Sequence, residues 1–173
     1  MKVNVLLAAA ALAAPALASP AVEVRQATPA KQCMTEAEAK EIVDVYARMI
    51  ANYQAADCEK YCADSFVDNS DSINTFLNQP LGGPTFATKK IFMEAQLVNP
   101  PFPLVVDAVD AVACEAIGLR WHATFGEANK PSKGITILHT TKEKGWWQIK
   151  QLDVEFNSLM WLLNMGGNYT WEG

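Results

Sequence analysis

From Leu104 to Phe156 the chain reads as strand after strand, with only short turns between them. In "IGLRWHATFG", Ile117, Leu119, Trp121, Ala123 and Phe125 alternate with Gly118, Arg120, His122 and Thr124. A period of two means a pleated strand with one buried face. "LVVDAVDAVACEA" precedes it, "EANKPSKG" follows as a hairpin loop, and "ITILHTTKEKGWWQIKQLDVEF" supplies two more strands around the "KEKG" turn. Strands joined this closely pair antiparallel. A sheet with one apolar face needs a second layer, so the first half of the chain has to cover it.

That half is helical. In "CMTEAEAKEIVDVYARMIANYQ", Thr35 and Glu38 form a capping box. Ile42, Val43, Tyr46, Met49, Ile50 and Tyr53 then share one helical face. Asp57 is placed to cap a second helix through Phe66. Residues 67–76 are expected as a bent or edge strand, because Asn, Asp and Ser interrupt their apolar residues. "QPLGGP" is a turn, and Thr85 or Thr88 caps a third helix, "KKIFMEAQLV", which Asn99-Pro100-Pro101 stops. Asn157 or Ser158 caps a short last helix, "LMWLLNM", apolar nearly all round and therefore expected to be buried in the domain or in a partner. Three helices followed by antiparallel strands define an α+β domain, a curved sheet under helices with a cone-shaped space between the layers.

Residues 1–18 carry one charge, Lys2, then an apolar run ending in Ala16-Leu17-Ala18. This is the pattern of a secretory signal peptide, too short and too interrupted by Pro15 to be a comfortable membrane span. Residues 19–32 are read as a flexible leader, 33–167 as the domain and 168–173 as a tail. Removing residues 1–18 takes one positive charge from the formal −5, leaving an acidic domain without a basic stripe. Neither nucleic acid nor a membrane surface is expected as a partner. Four cysteines, Cys33, Cys58, Cys62 and Cys114, read as two disulfides in a secreted chain. All three connectivities stay open, with Cys33 favoured for a distant partner. No CxxC zinc spacing, nucleotide-binding glycine loop or G-x-S-x-G elbow is present, so no metal or cofactor is expected. Asn168-Tyr169-Thr170 is a glycosylation sequon.

The quoted helices and strands, with "DSFVDNSDSINTFLNQPLGGPTF", "IGLRWHA" and "EFNSLMWLLNMGG", resemble the nuclear transport factor 2-like superfamily. That superfamily includes steroid delta-isomerases, scytalone dehydratase and SnoaL-like polyketide cyclases. The resemblance is closest to secreted proteins of filamentous fungi with this domain. It spans about residues 33–167 and implies fold and compartment more than chemistry. It also implies a cavity between the first helix and the concave sheet, and pairing of two copies through the exposed sheet face.

The resemblance likens Tyr46 to the isomerase Tyr that donates to a substrate oxyanion. Counting from Tyr46 puts the isomerase base position at Ser70, flanked by Asp68 and Asp71. A serine without a neighbouring base does not abstract protons, but a bulge could turn either Asp inward. Asp68, Asp71 and Glu155 are therefore the candidate acid–base groups. Tyr46, Ser70, Trp121 and His139 are the candidate ligand contacts, His139 because it shares a face with Ile135 and Ile137. The alternative is that the Asp and Ser residues satisfy their own backbone in turns. Three functions follow. The first is a cavity for a small apolar molecule, the second an isomerase, cyclase or dehydratase using carboxylate chemistry, and the third an interaction protein whose cone is filled. A homodimer is expected, since the strand carrying Trp146 and Trp147 is apolar on both faces.

Overall fold

The computed structural model describes residues 33–172. The signal peptide and leader expected over residues 1–32 lie outside the described residues. Helix α1 (Glu36–Ala51) begins with the expected capping box, the Thr35 hydroxyl accepting from the Glu38 amide. Its buried residues include Ile42, Val43, Tyr46 and Met49. Helix α2 (Ala55–Tyr61) is shorter than expected, and Asp57 does not cap it. Asp57 instead pairs with Arg48 at 2.7 and 2.9 Å, tying α2 to α1.

The polar stretch differs most from the reading of the sequence. Strand β1 (Cys62–Asn69) starts early, and Asp71–Leu77 is helix α3 rather than strand. The Ser70 hydroxyl accepts from the Ile73 amide at 3.0 Å, which is what an N-cap does. Asn78, in the left-handed region at φ 54°, ends the helix. Strand β2 (Pro84–Phe86) and helix α4 (Lys89–Val98), capped by Thr88, follow. Strands β3 (Leu104–Val112), β4 (Ala116–Phe125), β5 (Lys130–Glu143) and β6 (Trp146–Phe156) form the meander, and helix α5 (Ser158–Asn164) closes the described elements.

The six strands make one sheet in the order β2-β1-β6-β5-β4-β3. The sheet is mixed and not wholly antiparallel, because β1 runs parallel to β6. Parallel pairing needs a long crossover, which the segment from α3 to β5 supplies. The core lies between α1 and the concave face, where Ile117, Leu119, Leu138, Ile149 and Leu152 are fully buried.

Two close approaches set the shape of the cone. Gly134 of β5 sits beneath Trp121, and a Cβ there would lie 2.3 Å from the indole ring. Gly126, at φ +68°, lets the turn after β4 touch the end of α5, where a Cβ would meet the Asn164 carbonyl oxygen at 1.8 Å. Asn164 itself grips the β4–β5 hairpin. Its Nδ2 donates to the Lys130 carbonyl at 2.8 Å, and its Oδ1 accepts from the Lys130 amide at 3.1 Å. Within the domain, helix α5 is only partly buried. Asn164 is its buried residue, Trp161 is half-buried, and Leu159 is 52% exposed. The helix lies across the open end of the cone, with one side in contact and the other in solvent.

One disulfide joins Cys33 to Cys114, across 81 residues of sequence. It ties the start of α1 to the β3–β4 turn. The second expected bridge is not present: Cys58 and Cys62 are buried free thiols, one helical turn apart, with sulfurs 2.7 Å from each other.

Candidate functional site

A cavity of about 440 Å³ opens between α1, the concave sheet, the α4–β3 loop and α5. The rings therefore line the cone without filling it. Its far wall is a ring cluster centred on Trp161 of α5. Phe102 and Phe156 lie 4.6 Å from that indole, and Phe125 lies 4.8 Å from it. Phe102, in the "PPFP" loop, also meets Phe125 at 5.2 Å and Trp121 at 6.1 Å. Of this group, Trp121 alone was an expected ligand contact. Trp161 and Phe102 escaped because a short apolar helix and a proline-rich loop carry no periodic signal that points inward.

At the other end stand Tyr46, Asp68 and Phe86. Phe66 and Asp68 share the inner face of β1, while Val67 and Asn69 turn outward. Asp68 pairs with Leu152 of β6 on one side and with Phe86 of β2 on the other. It is 3% exposed, and its Oδ1 has no hydrogen-bond partner. Burial, with a smaller contribution from the negative charge of Asp153, pushes its pKa up to about 7. The Tyr46 hydroxyl meets Thr136 Oγ1 at 2.8 Å, and Trp121 Nε1 donates to the same oxygen at 2.9 Å. Burial, with Asp68 adding to it, raises the Tyr46 pKa, so the phenol stays protonated. Thr136 is a part of this site that the sequence analysis missed. An isolated threonine in a strand carries no functional signal until its face is known.

The other candidates lie elsewhere. Ser70 is buried, and its hydroxyl is occupied in capping α3. Asp71 Oδ1 accepts from the Gly82 amide at 2.7 Å and holds the glycine turn. Glu155 is on the opposite face of the sheet from Asp68. It accepts from the Asp71 and Ser72 amides at 2.8 and 3.0 Å, and from the Ser72 hydroxyl. It anchors the first turn of α3 and does not line this cavity. His139 is also corrected: it lies on the convex face with Ile135 and Ile137, where its Nε2 meets Asp153 at 2.8 Å. The two isoleucines suggested a core face. The register shows instead that Gly134 and Thr136 point inward, opposite Trp121 and Leu119. Asn168 of the sequon is exposed beyond α5.

A second depression, about 730 Å³, runs along the surface between α1 and β3. Its rim includes Lys40 and Asp44, paired at 2.6 Å, and it holds no buried unpartnered polar atom. Among the described residues, no group of three or more His, Cys, Asp or Glu side chains could hold a metal ion.

Helices closing a curved six-stranded sheet over an apolar cavity define a cone-shaped α+β domain. The NTF2-like domain family matches residues 32–168, and the chain belongs to that family. No curated protein matches the sequence. Among solved structures, the fold is similar to a SnoaL-like protein of unknown function from Burkholderia thailandensis. The TM-score is 0.56 at 12% identity, covering 73% of this chain and 99% of that one. It is also similar to a hypothetical protein of ketosteroid isomerase-like fold from Catenulispora acidiphila, solved in complex with trimethylamine. Here the TM-score is 0.56 at 13% identity, covering 77% and 98%. At such identities the likeness is one of fold.

Proposed function

We propose that the cone binds a small, mostly apolar molecule whose single polar group sits at the Asp68 end. The observation that carries this reading is Asp68 itself. A carboxyl group 3% exposed, with an oxygen lacking any donor, is costly to keep in an apolar wall unless something in the cavity uses it. The surrounding volume and apolar lining suit a molecule of modest size.

A second reading is proton transfer next to a carbonyl, and the shift of Asp68 favours it. A carboxyl with a pKa near 7 can take and return a proton at neutral pH, while a protonated Tyr46 serves as donor. In that reading Asp68 replaces Ser70 at the base position, and Glu155 and Asp71 have no part.

The test is a thermal-shift screen with small ring-bearing compounds in three sets: neutral, cationic and anionic. Neutral or cationic compounds are expected to raise the unfolding midpoint of the wild type, and anionic ones are not. Asp68→Asn should alter which compounds act. If no compound of any set moves the wild-type midpoint, the binding reading fails.

We also propose that the protein is secreted and pairs as a homodimer. The sequence of residues 1–18 and the Cys33–Cys114 disulfide support the first. Ile135 and Ile137, 57% and 42% exposed on the convex face, support the second. Light scattering and intact mass of secreted material should show two chains, each starting near Ser19. Monomers at micromolar concentration, or a retained Met1, would count against the respective claim.

A further inference from the structure

Five carboxylates lie on or beside the neighbouring strands β1 and β6; Asp64 is exposed beside Lys144, and three others accept hydrogen bonds. Glu155 holds two amides and a hydroxyl, Asp71 holds the Gly82 amide, and Asp153 is held by Asn69, Gln151 and His139. Asp68 is the exception, and it is also the one that lines the cavity. The fold brings it no donor. Among the residues lining the cavity there is no Lys, Arg or His, so no positive charge of the protein stands against it. Titratable groups do surround it: Tyr46 from α1, Cys62 from its own strand and Asp153 across β6. None of them is cationic. What this end of the cavity offers is a lone carboxylate acceptor in a wall that also holds Tyr46 and Phe86.

Resting on the binding reading above, we propose that the ligand is a monocationic amine carried on an apolar, ring-bearing body, its charge seated on Asp68. A desolvated carboxylate is stabilised by a cation far more than by a neutral ligand. Aromatic side chains lining the same cavity add attraction for an ammonium group. An anionic ligand has nothing here to pair with, and the acidic chain attracts cations at longer range. The body of the ligand follows from the strand geometry. Leu152 stands beside Asp68 on β6, and Phe156 of the ring cluster is four residues further along the same strand. At about 3.3 Å per residue that separation is about 13 Å, room for a short linker and a stacked ring.

The probe is (3-phenylpropyl)trimethylammonium, which keeps its charge at every pH, compared with the neutral 5-phenylpentan-2-one by titration calorimetry at pH 8. The cation is expected to bind at least tenfold more tightly than the ketone. Asp68→Asn should weaken the cation at least tenfold and the ketone less than threefold. Lowering the pH from 8 to 5.5 should weaken the cation in the wild type, because Asp68 takes up a proton, and leave Asp68→Asn unchanged. The pH comparison in the wild type stands on its own if the variant folds poorly. Equal or tighter binding of the ketone, or a cation affinity indifferent to both Asp68→Asn and pH, overturns the proposal and leaves the binding reading intact. If neither compound binds while the broader screen finds a neutral ligand, the amine proposal alone falls. If nothing binds at all, both fall.

Discussion

Asp68 and Glu155 stand on adjacent strands of one sheet, and their surroundings are opposite. Asp68 points into the cone, without a donor on Oδ1, and its pKa rises to about 7. Glu155 points out, and three donors from the start of α3 close on it. Asp153, its neighbour on the convex face, shows the same contrast. Burial pulls its pKa upward, but hydrogen bonds from Asn69, Gln151 and His139 outweigh that pull, and the net shift is downward. The chemistry of a carboxylate is therefore decided by which side of the sheet it occupies. On the convex side carboxylates are structural ligands for amides and side chains. On the concave side Asp68 is left without a donor on Oδ1.

The largest expected effect tests that contrast by pH. In the folded protein Asp68 keeps its proton between pH 3.8 and about 7, where the unfolded chain releases it. The folded state binds more protons over that window, so its stability falls as the pH rises through it. A shift of this size corresponds to roughly 2–4 kcal/mol. Asp68→Asn, neutral at every pH, should remove most of this dependence and be the more stable protein at pH 8. Urea denaturation of both proteins at pH 5 and pH 8 measures it. A wild type whose stability is flat across the window would break the comparison.

A smaller effect of opposite sign is expected on the convex face. Glu155→Ala leaves the first amides of α3 without their acceptor and should cost about 1–2 kcal/mol at neutral pH. Asp71→Ala, which loses a single exposed bond to Gly82, should cost about 1 kcal/mol or less. Neither substitution should change ligand binding, since neither side chain lines the cavity. Denaturation curves with and without a compound found in the screen check both points. A loss of binding in Glu155→Ala with unchanged stability would move the site to the wrong side of the sheet.

The candidate site was legible in part. Tyr46 could be placed on the inward face of α1 because six apolar residues at helical spacing leave one orientation. Asp68 was named, but not distinguished from Asp71. The parity of Phe66 and Asp68 would have separated them had the strand been started at Cys62 rather than Val67. His139 was misplaced by a general ambiguity. Alternation states that two faces differ and does not state which is buried. In β5 the buried face carries Ser132, Gly134 and Thr136, while Ile135 and Ile137 are exposed. Small residues go inside because Trp121 takes up the volume above Gly134, which no reading of β5 alone can show.

The sequence by itself determined the local elements and their order. The capping box at Thr35, the alternation of β4 and the glycine and proline turns act over a few residues, and each depends on side chains that are neighbours in the chain. The tertiary structure decided the rest. The parallel pairing of β1 with β6 sets Asp68 beside Leu152 and inside the cone. Glu155 reaches back across 84 residues to begin α3. Trp161 closes the cavity with rings drawn from β4, β6 and a loop. The physical reason is that burial and donor supply belong to a place in the fold. A carboxylate acquires its pKa from groups that reach it only once the sheet has formed.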